Sequence, residues 1–366
     1  MISHPKGIIK YHYQDFIVIE KIIPQFNKGS NFSLFLLSKQ NTSMFNCLMR
    51  ISKILKIPIA KINFFGEKDK YAQTKQIIYT PKLNIIPSEI SSNGFELLYL
   101  FDTHNISPEI MIGNYFKITA RKIKELDIVN QRIQKIISRQ IKIPNYYDIQ
   151  RFGKRYINHV IGYYLLNNKY FEATYLLLCS SSKNENRKVK KARQKLRDLF
   201  EGQNFNIDQA LELKLPQYMD LEKIFLKILS KKRNYKKAWK EFPHKFSSLF
   251  KQAYFSYKFN TELSKLIKNT TDNYIVKQYE ITIPQEVIQN FLTNFNPTLE
   301  LIYPEEEINI QHQIQDYQKR NLFILPDIKH YNFEKDEIFE GYYKLTIEFF
   351  LTRGGFATNI LNYILG

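Results

Sequence analysis

The chain has 366 residues, enough for two domains that each bury a core of their own. Hydrophobic residues make up 44% and charged residues 24%, as in ordinary globular proteins; no stretch approaches the roughly 20 apolar residues of a membrane helix. Lys and Arg outnumber Asp and Glu by 54 to 35, a net charge of +19 that calls for a polyanionic partner, nucleic acid first.

In chain order, the opening MISHPKGIIKYHYQDF is polar and lacks the apolar run of a secretory signal. Short runs rich in aliphatic and aromatic residues predict strands at Asp15–Glu20 and Asn31–Lys39. Met44, Cys47, Leu48, Ile51 and Leu55 recur at helical spacing, predicting a helix over Ser43–Leu55 with Cys47 in its core face. Strands are predicted at Ile62–Phe65 and Gln76–Thr80 around a polar turn, then at Tyr115–Ala120, followed by a helix over Asp127–Ile141 before Pro144. From Tyr156 to Ile267 apolar residues recur at three and four, as in Tyr170–Leu178 and Leu221–Leu229, with turn signals at Gly202 and Pro216. Strand character returns at Tyr274–Ile283 and in FEGYYKLTIEFFLTRGG, and Ala357–Leu365 closes as a helix. A helical block between two α/β pieces predicts a domain inserted into a discontinuous one.

Two cysteines, Cys47 and Cys179, make neither a disulfide framework nor a C-x-x-C pair, and the seven histidines include no H-x-x-x-H. A reduced, cytoplasmic protein without a structural metal is expected.

The segment Gly66-Glu67-Lys68-Asp69-Lys70-Tyr71-Ala72-Gln73-Thr74-Lys75-Gln76 carries the chemistry. It is a turn with one carboxylate between two lysines, an arrangement that favours the charged form of the acid. On residue types alone, a solvated turn with an ordinary surface Asp is the better explanation, since turns favour Gly and Asp. The run resembles the G-x-K-D-[RK]-x-A-x-T-x-Q signature of the TruD family of tRNA pseudouridine synthases, with every fixed position present. Other segments resemble family motifs in the same order. They are Gly7–Lys10 (G-x-x-K), Asp15–Glu20 (D-F-x-V-x-E), Gly113–Phe116 (G-N-x-F), Pro144–Tyr147 with Gln150–Gly153 (Q-R-F-G), Ala253–Asn260, and Gly354–Thr358. Departures are Gly355 for the usual Ser, Phe255 and Lys258 in the Ala253 motif, and Asn362-Tyr363 where the family often has Arg-Glu.

The resemblance implies an α/β (α+β) catalytic domain with a mixed, mainly antiparallel sheet, formed by residues 1–153 and 308–366. A mostly helical, basic domain at 154–307 would be inserted into it. It implies isomerisation of a tRNA uridine to pseudouridine, at position 13 in most of the family, with Asp69 as the catalytic residue. Such a reaction is redox-neutral and loses no group, so no cofactor and no metal are expected. The uridine must be flipped out of the RNA and held on aromatic faces, with an amide reading its edge. By resemblance, Phe16 and Phe356 would be the aromatic walls, Phe116 further packing, and Asn114 the amide. Lys10 would pair with Asp69, or serve as a surface or phosphate-contacting lysine. Glu20 reads as a structural partner of a buried backbone or basic group, Arg151 as a structural or RNA-backbone contact, and Trp239 as a packed or stacked surface aromatic.

Two basic runs, Lys183–Arg197 and Lys231–Lys240, fall in the helical block and are expected to meet tRNA phosphates. A monomer is the default expectation. Rival readings are a synthase acting on other tRNA, rRNA or mRNA uridines, and an inactive RNA-binding protein or RNA chaperone of the same fold.

Overall fold

The structure, a computed structural model, describes residues 2–23, 28–84, 89–182, 185–201, 204–279, 298–308 and 320–366. Lys183, Gly202 and the last residues of the strand expected at Tyr274–Ile283 lie outside them.

The first part of the chain builds a sheet from β1 (Ile2–His4), β2 (Gly7–Ile9), β3 (Phe16–Ile22), β4 (Lys28–Gln40), β5 (Asn63–Phe64), β6 (Gln73–Pro81), β7 (Glu89–Ser92), β8 (Phe95–Thr103) and β9 (Met111–Ile123). Helix α1 (Met44–Leu55) follows β4, and α2 (Leu126–Ile137) follows β9. Ser43 starts α1 by accepting a hydrogen bond from Asn46 N, and Met44, Cys47, Leu48 and Ile51 pack on Phe35, Leu37, Ile78 and Leu97 of the sheet. Each such side chain contributes about 1.5–3 kcal/mol on burial. Helix α2 stops at Ile137, short of the expected Ile141: Ser138 Oγ donates to Gln134 O, and Arg139 turns left-handed with φ +60°. The β7–β8 hairpin was not predicted, and β9 is longer at both ends than the expected Tyr115–Ala120.

The chain leaves this unit after β10 (Ile143–Pro144). The second unit holds α3 (Asn158–Leu166), α4 (Tyr170–Cys179), α5 (Arg187–Arg197), the short pair β11 (Phe200–Glu201) and β12 (Asn204–Phe205), α6 (Ile207–Glu212), α7 (Asp220–Lys232), α8 (Tyr235–Glu241), α9 (His244–Lys268), β13 (Tyr274–Tyr279) and β14 (Leu299–Pro304). Helices α3 and α9 approach so closely that a Cβ on Gly162 would lie 2.0 Å from the Phe250 carbonyl oxygen; only glycine fits there. Trp239 is buried against Phe225 and Phe242, and its indole N–H donates to Thr174 Oγ1. It is a core residue, correcting the surface placement expected for it.

The chain re-enters the first unit through β15 (Phe323–Ile324), which pairs with β10, and adds β16 (Asp327–Lys335), β17 (Tyr343–Thr352) and α10 (Ala357–Leu365). The two compact units are 1–145 with 323–366, and 146–322. The second unit thus extends beyond the expected borders at 153/154 and 307/308. Its entry is fixed by Asn260, whose side chain bonds both N and O of Tyr147, and by the Tyr146 hydroxyl on Ile302.

Among the described residues the first unit's sheet has eleven strands, with β9 flanked by β3 and β17 and β6 flanked by β3 and β4. Every pairing is antiparallel except β3 with β6. That exception positions the site. Parallel neighbours begin at the same end, so the segments entering them, Lys10–Asp15 and Gly66–Ala72, emerge side by side.

Candidate active site

Asp69 sits in the segment that leads into β6, and Lys10 just after β2, where its backbone takes the left-handed φ of +55°. The Lys10 ammonium lies 2.9 Å from Asp69 Oδ1 and 4.0 Å from the centre of the Phe16 ring. Lys10 is buried, whereas the Asp69 side chain is 30% exposed. One carboxylate therefore has on one side a cation, itself seated on the buried Phe16 ring, and is still partly open to solvent.

The cation in contact is not a chain neighbour. Lys68 turns inward and donates to Glu20 Oε1 at 2.9 Å, while Glu20 Oε2 accepts from Ile77 N. Glu20 is thus the buried structural partner its surroundings called for. Gln76 Nε2 donates to Gly66 O, tying the turn down to β6. A third lysine, Lys39 of β4, donates to the main-chain oxygens of Asp69 (2.6 Å), Lys68 (3.3 Å) and Thr42 (3.3 Å). The turn that reads as a solvated loop is pinned from below by buried side chains.

Side chains alternate across a strand, so register assigns the rest. Phe16, Val18 and Glu20 face Ile118, Phe116 and Asn114 across β3–β9, and β17 continues the rows with Ile347, Phe349 and Leu351. Phe16 and Phe116 meet edge to face at 6.2 Å, and Phe116 stacks on Phe349 at 5.3 Å. Asn114 lies on the same sheet face four strand positions from Phe16, about 13 Å along the strand, directly opposite Glu20. Phe356, half-buried, follows the end of β17, which pairs with Gly113 and Asn114, and so belongs to that same end of the sheet. The structure joins Lys10, Asp69, Phe16 and Phe116 through a chain of contacts, and sets Asn114 and Phe356 further along the face.

On this face Thr74 Oγ1, Gln76 Oε1 and Asn114 Oδ1 are buried and make no hydrogen bond among the described residues. Buried polar atoms are usually paired; Gln76 and Asn114 flank Glu20 in the sheet, and Thr74 lies beside Val18. Thr74 and Gln76 are fixed positions of the signature to which no role was assigned from sequence. The opposite sheet face carries a groove of about 680 Å³ lined by Ile17, Ile19, Gln73, Lys75 and Glu96, among others, and Asp69 is not part of it.

In the second unit, the basic runs divide. Arg187, Lys188, Lys191 and Lys195 of α5 are exposed, as are Lys231, Lys232, Arg233, Lys236, Lys237 and Lys240. Arg193 is instead buried, held by Glu185 and Glu222, which corrects its place in the expected phosphate-contacting run. Arg151 lies over the Tyr147 ring at 5.5 Å. Among the described residues no group of three His, Cys, Asp or Glu side chains is placed to hold a metal ion, and no helix is long and apolar enough to cross a membrane.

Residues 3–294 match the sequence model of the family described as tRNA pseudouridine synthase D (TruD). Among curated proteins, the chain is 28% identical to the probable tRNA pseudouridine synthase D of Nanoarchaeum equitans, over 84% of this chain and 81% of that one. It is 27% identical to the probable tRNA pseudouridine synthase D 1 of Methanococcus maripaludis, over 96% and 97% respectively. In fold it is similar to a crystal structure described as tRNA pseudouridine synthase D (TruD) from Methanosarcina mazei, with a TM-score of 0.67 and 18% identity, covering 99% of this chain and 94% of that one.

Proposed function

The chain belongs to the TruD family of tRNA pseudouridine synthases, and from that premise we propose that it isomerises uridine 13 of tRNA with Asp69 as its catalytic carboxylate and no cofactor. The observation that carries the reading is the partly open Asp69 carboxylate, ion-paired with buried Lys10 beside the Phe16 ring.

The reaction breaks the bond from uracil N1 to ribose C1′, turns the freed base, and joins C5 to C1′. The C5 proton is lost and N1 gains one, so atoms and electrons balance within the nucleotide. An ionised carboxylate next to the glycosidic bond serves this by attacking the nucleoside or by assisting removal of the C5 proton. Both roles fit the geometry of Asp69. Lys10 keeps a counter-charge on the acid without closing its open side. Phe356 would face the everted base. Phe16, 2% exposed and covered on one face by the Lys10 ammonium, would back the site with Phe116 instead of forming its open wall. Asn114 Oδ1, without a hydrogen bond among the described residues, would accept from a uracil N–H.

The exposed cations of α5 and of the Lys231–Lys240 run supply the phosphate contacts, so tRNA affinity should fall steeply with salt. The enzyme would act as a cytoplasmic monomer. The test is incubation with a tRNA transcript carrying uridine 13, followed by carbodiimide mapping of pseudouridine. The expected result is a single new stop at position 13 that disappears when that uridine is replaced by cytidine. Product only at other uridines would overturn the assignment of position, and no product in any tRNA would overturn the activity.

A further inference from the structure

Lys39 is a buried cation that the uridine chemistry leaves unused. It lies on the packed face of β4, 3% exposed, and among the described residues its hydrogen-bond partners are main-chain oxygens only: those of Thr42, Lys68 and Asp69. An ammonium has three N–H donors and no acceptor, so three carbonyls use its full capacity. Two of them matter most. The Lys68 and Asp69 carbonyls belong to the two peptide planes that meet at the Asp69 Cα. Because each peptide is planar, holding both oxygens restrains the direction of the Asp69 Cα–Cβ bond, while the Lys10 ion pair sets the rotation about it.

We propose that Lys39 is a positioning residue that aims the Asp69 carboxylate by clamping the peptide planes on either side of it. The proposal rests on Asp69 being the catalytic group. The electrostatics agree with a role other than packing. Burial pulls the Lys39 ammonium below its ordinary range; Cys47 on α1 and Asp69 and Glu67 on the loop oppose this, while Lys68 adds to it. A buried ammonium opposes folding unless its bonds compensate, and a methionine would fill the same volume without that cost.

Misplacing a reacting group by about 1 Å is enough to lower a rate roughly a hundredfold. The test compares Lys39→Met, Lys39→Arg and Asp69→Asn on a uridine-13 transcript, well below each variant's melting temperature. Lys39→Met is expected to lower kcat by about 10- to 100-fold with KM for tRNA within about threefold of wild type. Lys39→Arg, which keeps the charge and the donors, is expected to recover most of kcat. If Lys39→Met does not fold, Lys39→Gln, with two donors and no charge, is held to the same criteria. Folded Lys39→Met with wild-type kcat, or with only KM raised, overturns the proposal while an inactive Asp69→Asn leaves the function standing. An active Asp69→Asn would overturn the function itself, and this inference with it.

Discussion

Each unit contains a cluster of inward-turned cations held by main-chain carbonyls and carboxylates, and the two differ in what they leave open. In the second unit Arg155, Arg193 and Arg197 donate to the oxygens of Leu176, Leu177, Leu178, Cys179 and Ser180, the acceptors left over at the end of α4. Glu185 and Glu222 pair with Arg155 and Arg193 from within. In the first unit Lys39 and Lys68 hold the turn before β6, Glu20 balances Lys68, and the third lysine, Lys10, pairs with a carboxylate that stays 30% exposed. The arginine cluster is closed and holds the fold. The lysine cluster ends in an acid whose side chain keeps 30% of its surface exposed.

The comparison breaks most sharply at Arg193. Arg193→Met leaves Glu185 and Glu222 without their shared partner, and removing one member of a buried ion cluster costs about 3–5 kcal/mol. A loss of that size in the unfolding free energy from urea denaturation is expected, and a loss under about 1 kcal/mol would show that the cluster is not closed.

Lys68→Met makes the equivalent cut in the first unit. Glu20, whose side chain is 1% exposed, would keep only its bond from Ile77 N. The expected loss is at the lower end, about 3 kcal/mol, accompanied by a fall in kcat as the turn shifts. The double variant Glu20→Gln/Lys68→Met removes the stranded charge and should regain much of the stability. If it is no more stable than Lys68→Met, the pair is not the reason for the loss.

The smallest effect concerns the β16–β17 turn. Hydrogen bonding from Lys344, reinforced by Arg121, holds Glu337 down at about 2. Its folded value lies below the ordinary carboxylate value, so its contribution is complete above that value, 4.5, and is lost as pH falls towards about 2. Glu337 is half exposed, so solvent screening keeps the effect small. Glu337→Gln should flatten the stability curve between those pH values and leave it unchanged at pH 7 apart from a constant offset.

Much of the first unit was legible because its signals are local. Ser43 followed by apolar residues at helical spacing gives α1, and Ala357–Leu365 is a helix at the expected bounds. The placement of Asp69 in a turn between strands followed from the polar run between Ile62–Phe65 and Gln76. What sequence missed depends on distant partners. Lys68 reads as a solvated neighbour of Asp69, yet it is buried because Glu20, 48 residues away, waits beneath it. Arg193 likewise reads as surface charge within a basic run, and its burial is decided by carboxylates and carbonyls contributed from other elements. The hairpin ending in Phe95–Thr103 was hidden for another reason. Its FELLYLFDT mixes apolar residues on both faces, with Leu98 and Phe101 exposed, which blurs the alternation that marks a strand.

The central claim is that the open acid of the lysine cluster performs the chemistry. Single-turnover rates of pseudouridine formation, with enzyme in excess over a tRNA transcript, test it most directly when wild type is compared with Asp69→Asn, which keeps the shape and removes the charge. A rate lower by roughly a thousandfold or more, with tRNA affinity within a few-fold of wild type, is predicted. A rate within tenfold of wild type would contradict the account.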